Sequence, residues 1–344
     1  MAPPGDARPG EGERRACWIS CRARAGYGRG AQSRPCGIRG RRRPLGNVVS
    51  MPASDPSPRE LRGVAVTLSW PEADIALATM TRSREMNTLS LELLHELDAA
   101  LTASLEEGAR ALIVAGAGRA FCAGAHLQYF VAADPRIGGA PFDLRDRYLA
   151  PIASLFDRIE AAPIPVIAAI NGYALGGGCE LALACDFRLM AGEAHIGLPE
   201  TRIGALAGAG GVQKLHRLVG RGKALEWILL GAHVAAEEAL AHGLVTAVHP
   251  AAELMAASLQ LARRFRHLGA RAVAQSKMAV HACGDADLAN ARRIGLEALT
   301  TLIGGPEWIE GMRAFMEKRP PRFPPLRASL REGVRDQGSD RAPN

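Results

Sequence analysis

Apolar residues recur at every second position in two short runs, VAVTLSW (64–70) and DIALATMT (74–81). Alternation of period two on either side of residues 71–74 predicts two strands paired around a turn. The period then lengthens. In SLELLHELDAALTASLEEG (90–108), Leu94, Leu97, Leu101 and Leu105 share one helical face, with Ser90 placed to cap the N-terminus and Gly108 to end the helix. RALIVAG (110–116), an apolar run bounded by glycine, reads as a buried strand.

AGRAFCAGAHL (117–127) reads as a loop, residues 134–141 as a Gly- and Pro-rich connection, and residues 146–160 as a second helix. Pro163 and Pro165 lead into VIAAI (166–170), a second buried strand, and NGYALGGG (171–178) joins it to a short helix, CELALA (179–184), and a strand, DFRLMA (186–191). Past Gly210 the pattern turns helical in GGVQKLHRLVG, GKALEWILLG and AAEEALAHG. A last strand, LVTAVH (244–249), precedes more helix from 251 to about 317. These elements predict an α/β core over residues 59–250, a helical extension over 251–325 and a fraying Pro- and charge-rich tail over 326–344.

Charge changes this picture only at the N-terminus. The formal charge is +7 over 344 residues, yet residues 1–60 hold 12 Arg and no Lys against 5 acids, so the remainder is neutral. Residues 1–58, rich in Arg, Gly and Pro and without periodicity, read as a disordered leader. Three origins compete for it: translation begun upstream of a true start at Met51, a mitochondrial presequence, or an RNA-binding arm. Nucleic acid is not an expected partner of the body of the chain. No apolar run reaches the roughly 18 to 20 residues that cross a bilayer, so no membrane partner is expected either. Outside the leader, Cys122, Cys179, Cys185 and Cys283 show no metal-ligand spacing and fit a reducing compartment. The expected location is the cytoplasm, or the mitochondrial matrix in a eukaryote.

Candidate chemistry gathers at the glycine run. A turn between a buried strand and a helix beginning at Gly177 leaves N–H donors unpaired at a positive helix end, suited to an oxygen that gains negative charge. The same glycines would also serve a tight, closely packed turn. Glu180 favours the first reading. A carboxylate one turn into an Ala- and Leu-rich helix is costly to bury, and desolvation raises its pKa towards values useful for proton transfer. The competing reading is a surface acid on an amphipathic helix. HIGLPETRIGALAGAGG (195–211) supplies a second acid, Glu200. Taken alone, Glu200 reads as an exposed loop residue; brought beside Glu180, it would help hold one water, with one carboxyl as base and the other as acid. His126 reads as a hydrogen-bonding spacer and Cys179 as a small core residue.

AFCAGAHL, NGYALGGGCELALACD, GLPETRIGALAGAGGVQKL and EGMRAFMEKRPPRF occur in this order and at these separations, and through them the chain resembles the enoyl-CoA hydratase (crotonase) family over about residues 62–325. The resemblance implies a crotonase (ClpP/crotonase-like) fold: an α/β spiral core of repeated ββα units with a C-terminal helical extension that assembles a homotrimer or a dimer of trimers. It implies a lyase that hydrates 2-enoyl-CoA to 3-hydroxyacyl-CoA. The backbone N–H groups of Ala125 and Gly177 would form the oxyanion hole, Glu180 and Glu200 would hold the water, and the backbone of Gly208 would lie near it. Coenzyme A, carried by the acyl-CoA substrate, is expected against Arg84 and Ala123, with Phe315 and Lys318 reaching a neighbouring subunit's site. No metal or other cofactor is implied.

Two departures bear on affinity: His126 replaces the usual acid, and Gln128 replaces a common Lys, removing a phosphate partner. Two other readings stay open. One is an isomerase, or a hydratase of a branched or functionalised acyl-CoA, with selectivity lodged in residues 132–148; the other is a non-catalytic CoA- or RNA-binding member. A chain starting at Met51 is expected to match the full chain in solubility and rate. Aggregation or inactivity of the shorter chain would reject the upstream-start reading, and tight, salt-dependent RNA binding by the full chain alone would favour the arm.

Overall fold

The two period-two segments pair as expected. Strand β2 (Val66–Glu72) runs antiparallel to β3 (Ile75–Met80), with Val66 opposite Met80, and a short edge strand, β1 (Glu60–Arg62), flanks β2. Val66, Leu68 and Trp70 point to the core. The register slips between Ser69 and Glu72, which accommodates Pro71, a residue that cannot donate to a ladder. The computed structural model describes residues 59–324 apart from Asp285. The leader expected over 1–58 and the tail over 326–344 lie outside the described residues.

Helix α1 (Leu91–Glu106) begins where Ser90 Oγ accepts the Leu93 N–H at 3.3 Å, and Gly108 follows it with φ of +77°. Leu94, Leu97 and Leu101 are buried along its inner face. Glu96, on the same helix, accepts the N–H groups of Val64, Ala65 and Val66 at 2.9, 2.7 and 2.8 Å, fixing the entry into β2.

Three units then repeat one plan of two strands and a helix. In the first, β4 (Ala111–Gly116) and β5 (Ala120–Cys122) are followed by two single turns, α2 (Gln128–Val131) and α3 (Pro141–Leu144), a π-helical turn (Arg145–Leu149) and helix α4 (Ala150–Ala161). The second is β6 (Val166–Ile170), β7 (Tyr173–Leu175) and α5 (Gly177–Ala184). The third is β8 (Phe187–Ala191), β9 (His195–Gly197) and α6 (Gly211–Val219). Helix α7 (Arg221–Leu229), β10 (Val234–Ala235), α8 (Ala236–Ala241) and β11 (Ala247–His249) complete the strands, and α9 (Leu254–Arg263), α10 (Ala270–Cys283), α11 (Leu288–Thr300) and α12 (Pro306–Met316) follow.

The first strand of each unit enters a seven-stranded sheet ordered β1-β2-β3-β4-β6-β8-β11, parallel from β3 onward. The second strand enters a smaller sheet ordered β10-β9-β7-β5. This is the expected spiral of ββα units. Strands β4 and β6 are buried almost throughout, which explains their unbroken apolar sequence. Strand β5 corrects the loop expected over residues 117–127, and β7 and β9 add strands where the sequence predicts none. Each has three residues, too few to display a period. No helix among the described residues is long and apolar enough to cross a membrane.

A buried ammonium ties the helices after β11 to the sheet. Lys277 Nζ, on α10, donates to the carbonyls of Ile159 and Ile164 at 3.1 Å each and to Asp186 Oδ2 at 2.8 Å, while the same carboxylate oxygen accepts the Val166 N–H at 2.7 Å. One cation thereby satisfies the end of α4 and the approach to β6, and pairs with the acid that opens β8. Removing one partner of a buried pair leaves the other charge uncompensated, so Lys277→Ala is expected to cost about 3 kcal/mol, read as a lower urea midpoint with an unchanged slope.

Candidate active site

Two turns meet where the small sheet ends. After β5 the chain passes through Ala123, Gly124 and Ala125; after β7 it passes through Gly176 into α5. A Cβ placed on Gly124 would lie 3.1 Å from the Gly177 nitrogen, and one on Gly177 would lie 3.5 Å from the Ala125 nitrogen. The N–H groups of Ala125 and Gly177 are therefore neighbours, and neither donates to a backbone acceptor among the described residues.

Their orientation has a cause. The Gly124 carbonyl accepts the Leu89 N–H at 2.8 Å, and in a trans peptide the Ala125 N–H then faces the opposite way. Gly176 precedes the helix with φ of +55° and no side-chain cap, leaving the first N–H groups of α5 free. Gly178 packs so closely on the Cys122 carbonyl that a Cβ there would overlap it. The glycine run thus serves both readings that the sequence allowed: close packing of the helix on β5, and open access to backbone donors.

Glu180 stands one turn into α5 and is buried. Its Oε1 accepts the N–H groups of Ala209 and Gly211 at 2.7 and 2.8 Å. Burial pushes its pKa above the usual carboxylate range, opposed by those two N–H groups and by the charge of Lys214. Lys214 itself pairs with Glu160 at 2.9 Å.

Glu200 opens a 3-10 turn (Glu200–Ile203) and is half-buried, not the exposed loop acid that its sequence context suggests when taken alone. A Cβ on Gly176 would lie 2.9 Å from its Oε1, so the carboxyl occupies space that only glycine leaves open. Its Oε2 is buried without a hydrogen-bond partner. Burial raises the Glu200 pKa to about 7, with the charge of Glu180 adding to the rise. The two acids feel each other's charge beside one turn.

The remaining predicted positions spread around this centre. The Ala123 N–H donates to the Met86 carbonyl at 3.0 Å, joining the Ala125 loop to the turn (Ser83–Glu85) that carries exposed Arg84. Gly208 is exposed; the groups that bind Glu180 are its neighbours Ala209 and Gly211, which the sequence reading did not single out. Phe315 and Lys318 are exposed at the end of α12. Arg84, Phe315 and Lys318 stand outside the contacts that join Ala125, Gly177, Glu180 and Glu200. His126 Nδ1 lies 2.9 Å from Thr88 Oγ1. Burial, together with the charges of Glu180 and Glu200, drives the Cys179 thiol far up, so it is no thiolate at neutral pH.

The spiral of ββα units is the crotonase fold, and a solved enoyl-CoA hydratase from Bacillus anthracis matches it. That structure is 38% identical with a TM-score of 0.70, covering 75% of this chain and 98% of its own. Residues 71–325 match the model of the enoyl-CoA hydratase/isomerase family, and the chain belongs to that family. A crotonyl-CoA hydratase of Syntrophomonas wolfei is 37% identical over 257 residues, 73% of this chain and 95% of its own. A short-chain-enoyl-CoA hydratase of Clostridium acetobutylicum is 35% identical over 251 residues, 72% and 93% of the two chains.

The Glu200 environment has a cost that depends on pH. Its pKa of about 7 in the folded chain exceeds the ordinary 4.5, so the native state holds the proton more tightly than the unfolded chain. The stability contributed by the neutral acid is full below the ordinary value and is lost as pH rises through about 7. Glu200→Gln removes the ionisation and is expected to raise the melting temperature at about pH 8 while changing it little at about pH 4. Equal shifts at both values, or a lower melting temperature at the higher pH, would reject this account.

Proposed function

We propose that the protein reversibly hydrates 2-enoyl-CoA thioesters to 3-hydroxyacyl-CoA. The observation that carries this reading is the unequal pair of acids beside two free N–H groups: Glu180 held by two backbone donors, Glu200 raised to about 7 with an unpartnered oxygen. The hydratase names of the relatives from Syntrophomonas wolfei and Clostridium acetobutylicum support it.

In this mechanism the thioester carbonyl accepts from Ala125 and Gly177, whose donors strengthen as the oxygen gains charge. Glu180, whose two N–H partners oppose the rise that burial imposes, takes a proton from water as the water oxygen bonds to C3. The electron pair of the C2–C3 double bond moves towards the thioester oxygen. Glu200, whose pKa of about 7 leaves a protonated fraction near neutrality, then delivers its proton to C2. The loop 208–211 borders the water position through the donors that orient Glu180.

The CoA portion is assigned to Arg84 and the backbone at Ala123, and no metal or separate cofactor is invoked. Phe315 and Lys318 would serve a neighbouring subunit in a trimer or dimer of trimers, where Lys318 partly replaces the cation missing at Gln128. Apolar side chains exposed on α11 and α12, among them Leu296, Leu299, Ile309 and Met312, support such an assembly.

Crotonyl-CoA should lose the absorbance of its conjugated thioester when the protein is added. Glu180→Gln and Glu200→Gln should each fold and lower kcat by about 10²- to 10⁴-fold. kcat/KM should fall on the alkaline side as Glu200 ionises near 7 and on the acid side as Glu180 gains a proton. Conversion of a 3-enoyl-CoA without hydration would assign isomerisation instead, and near-full turnover by either variant would remove that residue from the mechanism.

A further inference from the structure

The N–H groups of Ala125 and Gly177 share a support, Leu89. Its N–H holds the Gly124 carbonyl, and its Cδ1 lies 2.7 Å from where a Cβ on Gly177 would be. Leu89 and Ala125 form an isolated parallel bridge, a pattern in which the Leu89 carbonyl would pair directly with the His126 N–H. A phenol is inserted at that point. Tyr148, in the π-helical turn before α4, donates its O–H to the Leu89 carbonyl at 2.7 Å and accepts the His126 N–H at 2.7 Å.

From this geometry we infer that the Tyr148 hydroxyl is a positioning residue for the proposed oxyanion hole: it sets the spacing between the segment at Leu89 and the Ala125 loop, and with it the aim of the Ala125 N–H. The inference deepens the hydratase reading and rests on it for the identity of the reaction. Tyr148 is fully buried, so it acts through the loop and touches no substrate. Burial drives its phenol far above the ordinary value, and it stays a neutral donor throughout the working pH range. One hydroxyl can donate once and accept once without strain, and both capacities are spent here, one on the Leu89 carbonyl and one on the N–H of the peptide that follows Ala125. Its ring meets Tyr129 edge-on at 5.0 Å and Phe130 at 5.7 Å, contacts that a phenylalanine would keep. The hydroxyl can therefore be removed without emptying the core.

The test compares Tyr148→Phe with Tyr129→Phe, a change in the same aromatic cluster whose hydroxyl faces Leu91 and Arg136. Tyr148→Phe should lower kcat for crotonyl-CoA about 10- to 100-fold, as loss or misaim of one oxyanion donor does, with KM changed by less than about twofold. It should also shrink the red shift of bound 4-dimethylaminocinnamoyl-CoA, a direct readout of carbonyl polarisation. Tyr129→Phe should leave all three at wild-type values. Wild-type kcat and red shift in Tyr148→Phe, whatever its melting temperature, would overturn the inference. If Tyr148→Phe does not fold, 3-fluorotyrosine at position 148 keeps the shape and weakens the acceptor; an unchanged red shift would overturn the inference and a reduced one would support it. A wild-type protein that polarises the probe through Tyr148 yet does not hydrate crotonyl-CoA would sink the hydratase reading while sustaining the positioning role.

Discussion

Two peptide N–H groups, those of Ala125 and Gly177, must stay unpaired inside a folded chain, and most of the surrounding structure follows from that requirement. A donor that the chain leaves unpaired forgoes about 0.5–1.5 kcal/mol of net hydrogen-bond stability, so the groups beside it have to leave the backbone no alternative. Leu89 captures the Gly124 carbonyl, the small sheet lays β5 beside β7, and Gly178 lets α5 press against β5 more closely than any side chain would allow. The glycines are therefore demanded twice, once by packing and once by access. A chain that satisfied these donors internally would gain stability and lose the place proposed for the thioester oxygen.

The same site shows how one side-chain type acquires two characters. Glu180 and Glu200 are both desolvated, yet the loop after β9 spends two backbone donors on Glu180 and none on the Glu200 Oε2. Hydrogen-bond supply, more than depth of burial, separates them: the more buried acid is the one better equipped to carry charge. Lys214 adds to the asymmetry from a distance, its own charge shared with Glu160.

Much of this was readable beforehand where a local signal was strong. Residues 91–106 announce a helix through their leucine face and Ser90, and β4 and β6 announce burial through unbroken apolar runs. Glu180 was legible because an acid inside apolar helix sequence needs a reason. Strands β5, β7 and β9 were not legible, since three residues carry no period and their pairing depends on partners tens of residues away. Nor did any local pattern mark Leu89, Tyr148, Ala209 or Lys277. Each acts on a peptide group or carboxylate distant in sequence, and composition is silent about such contacts. The nearness of Ala125 to Gly177 came from family resemblance alone, because backbone donors leave no trace in residue type.

Lys277 and Asp186 are separated by 91 positions, which has a consequence for synthesis on the ribosome. Strands β6 and β8 emerge long before their cation does, so Asp186 waits with the Val166 N–H as its hydrogen-bond donor while α6 to α9 are still being made. The sheet can pair early, but its charge balance closes late, after α10 has left the exit tunnel. Long-range contacts of this kind slow folding and prolong exposure of unfinished surfaces. A nascent chain halted before residue 277 would hold every described strand and both acids, with Asp186 still lacking the cation it pairs with.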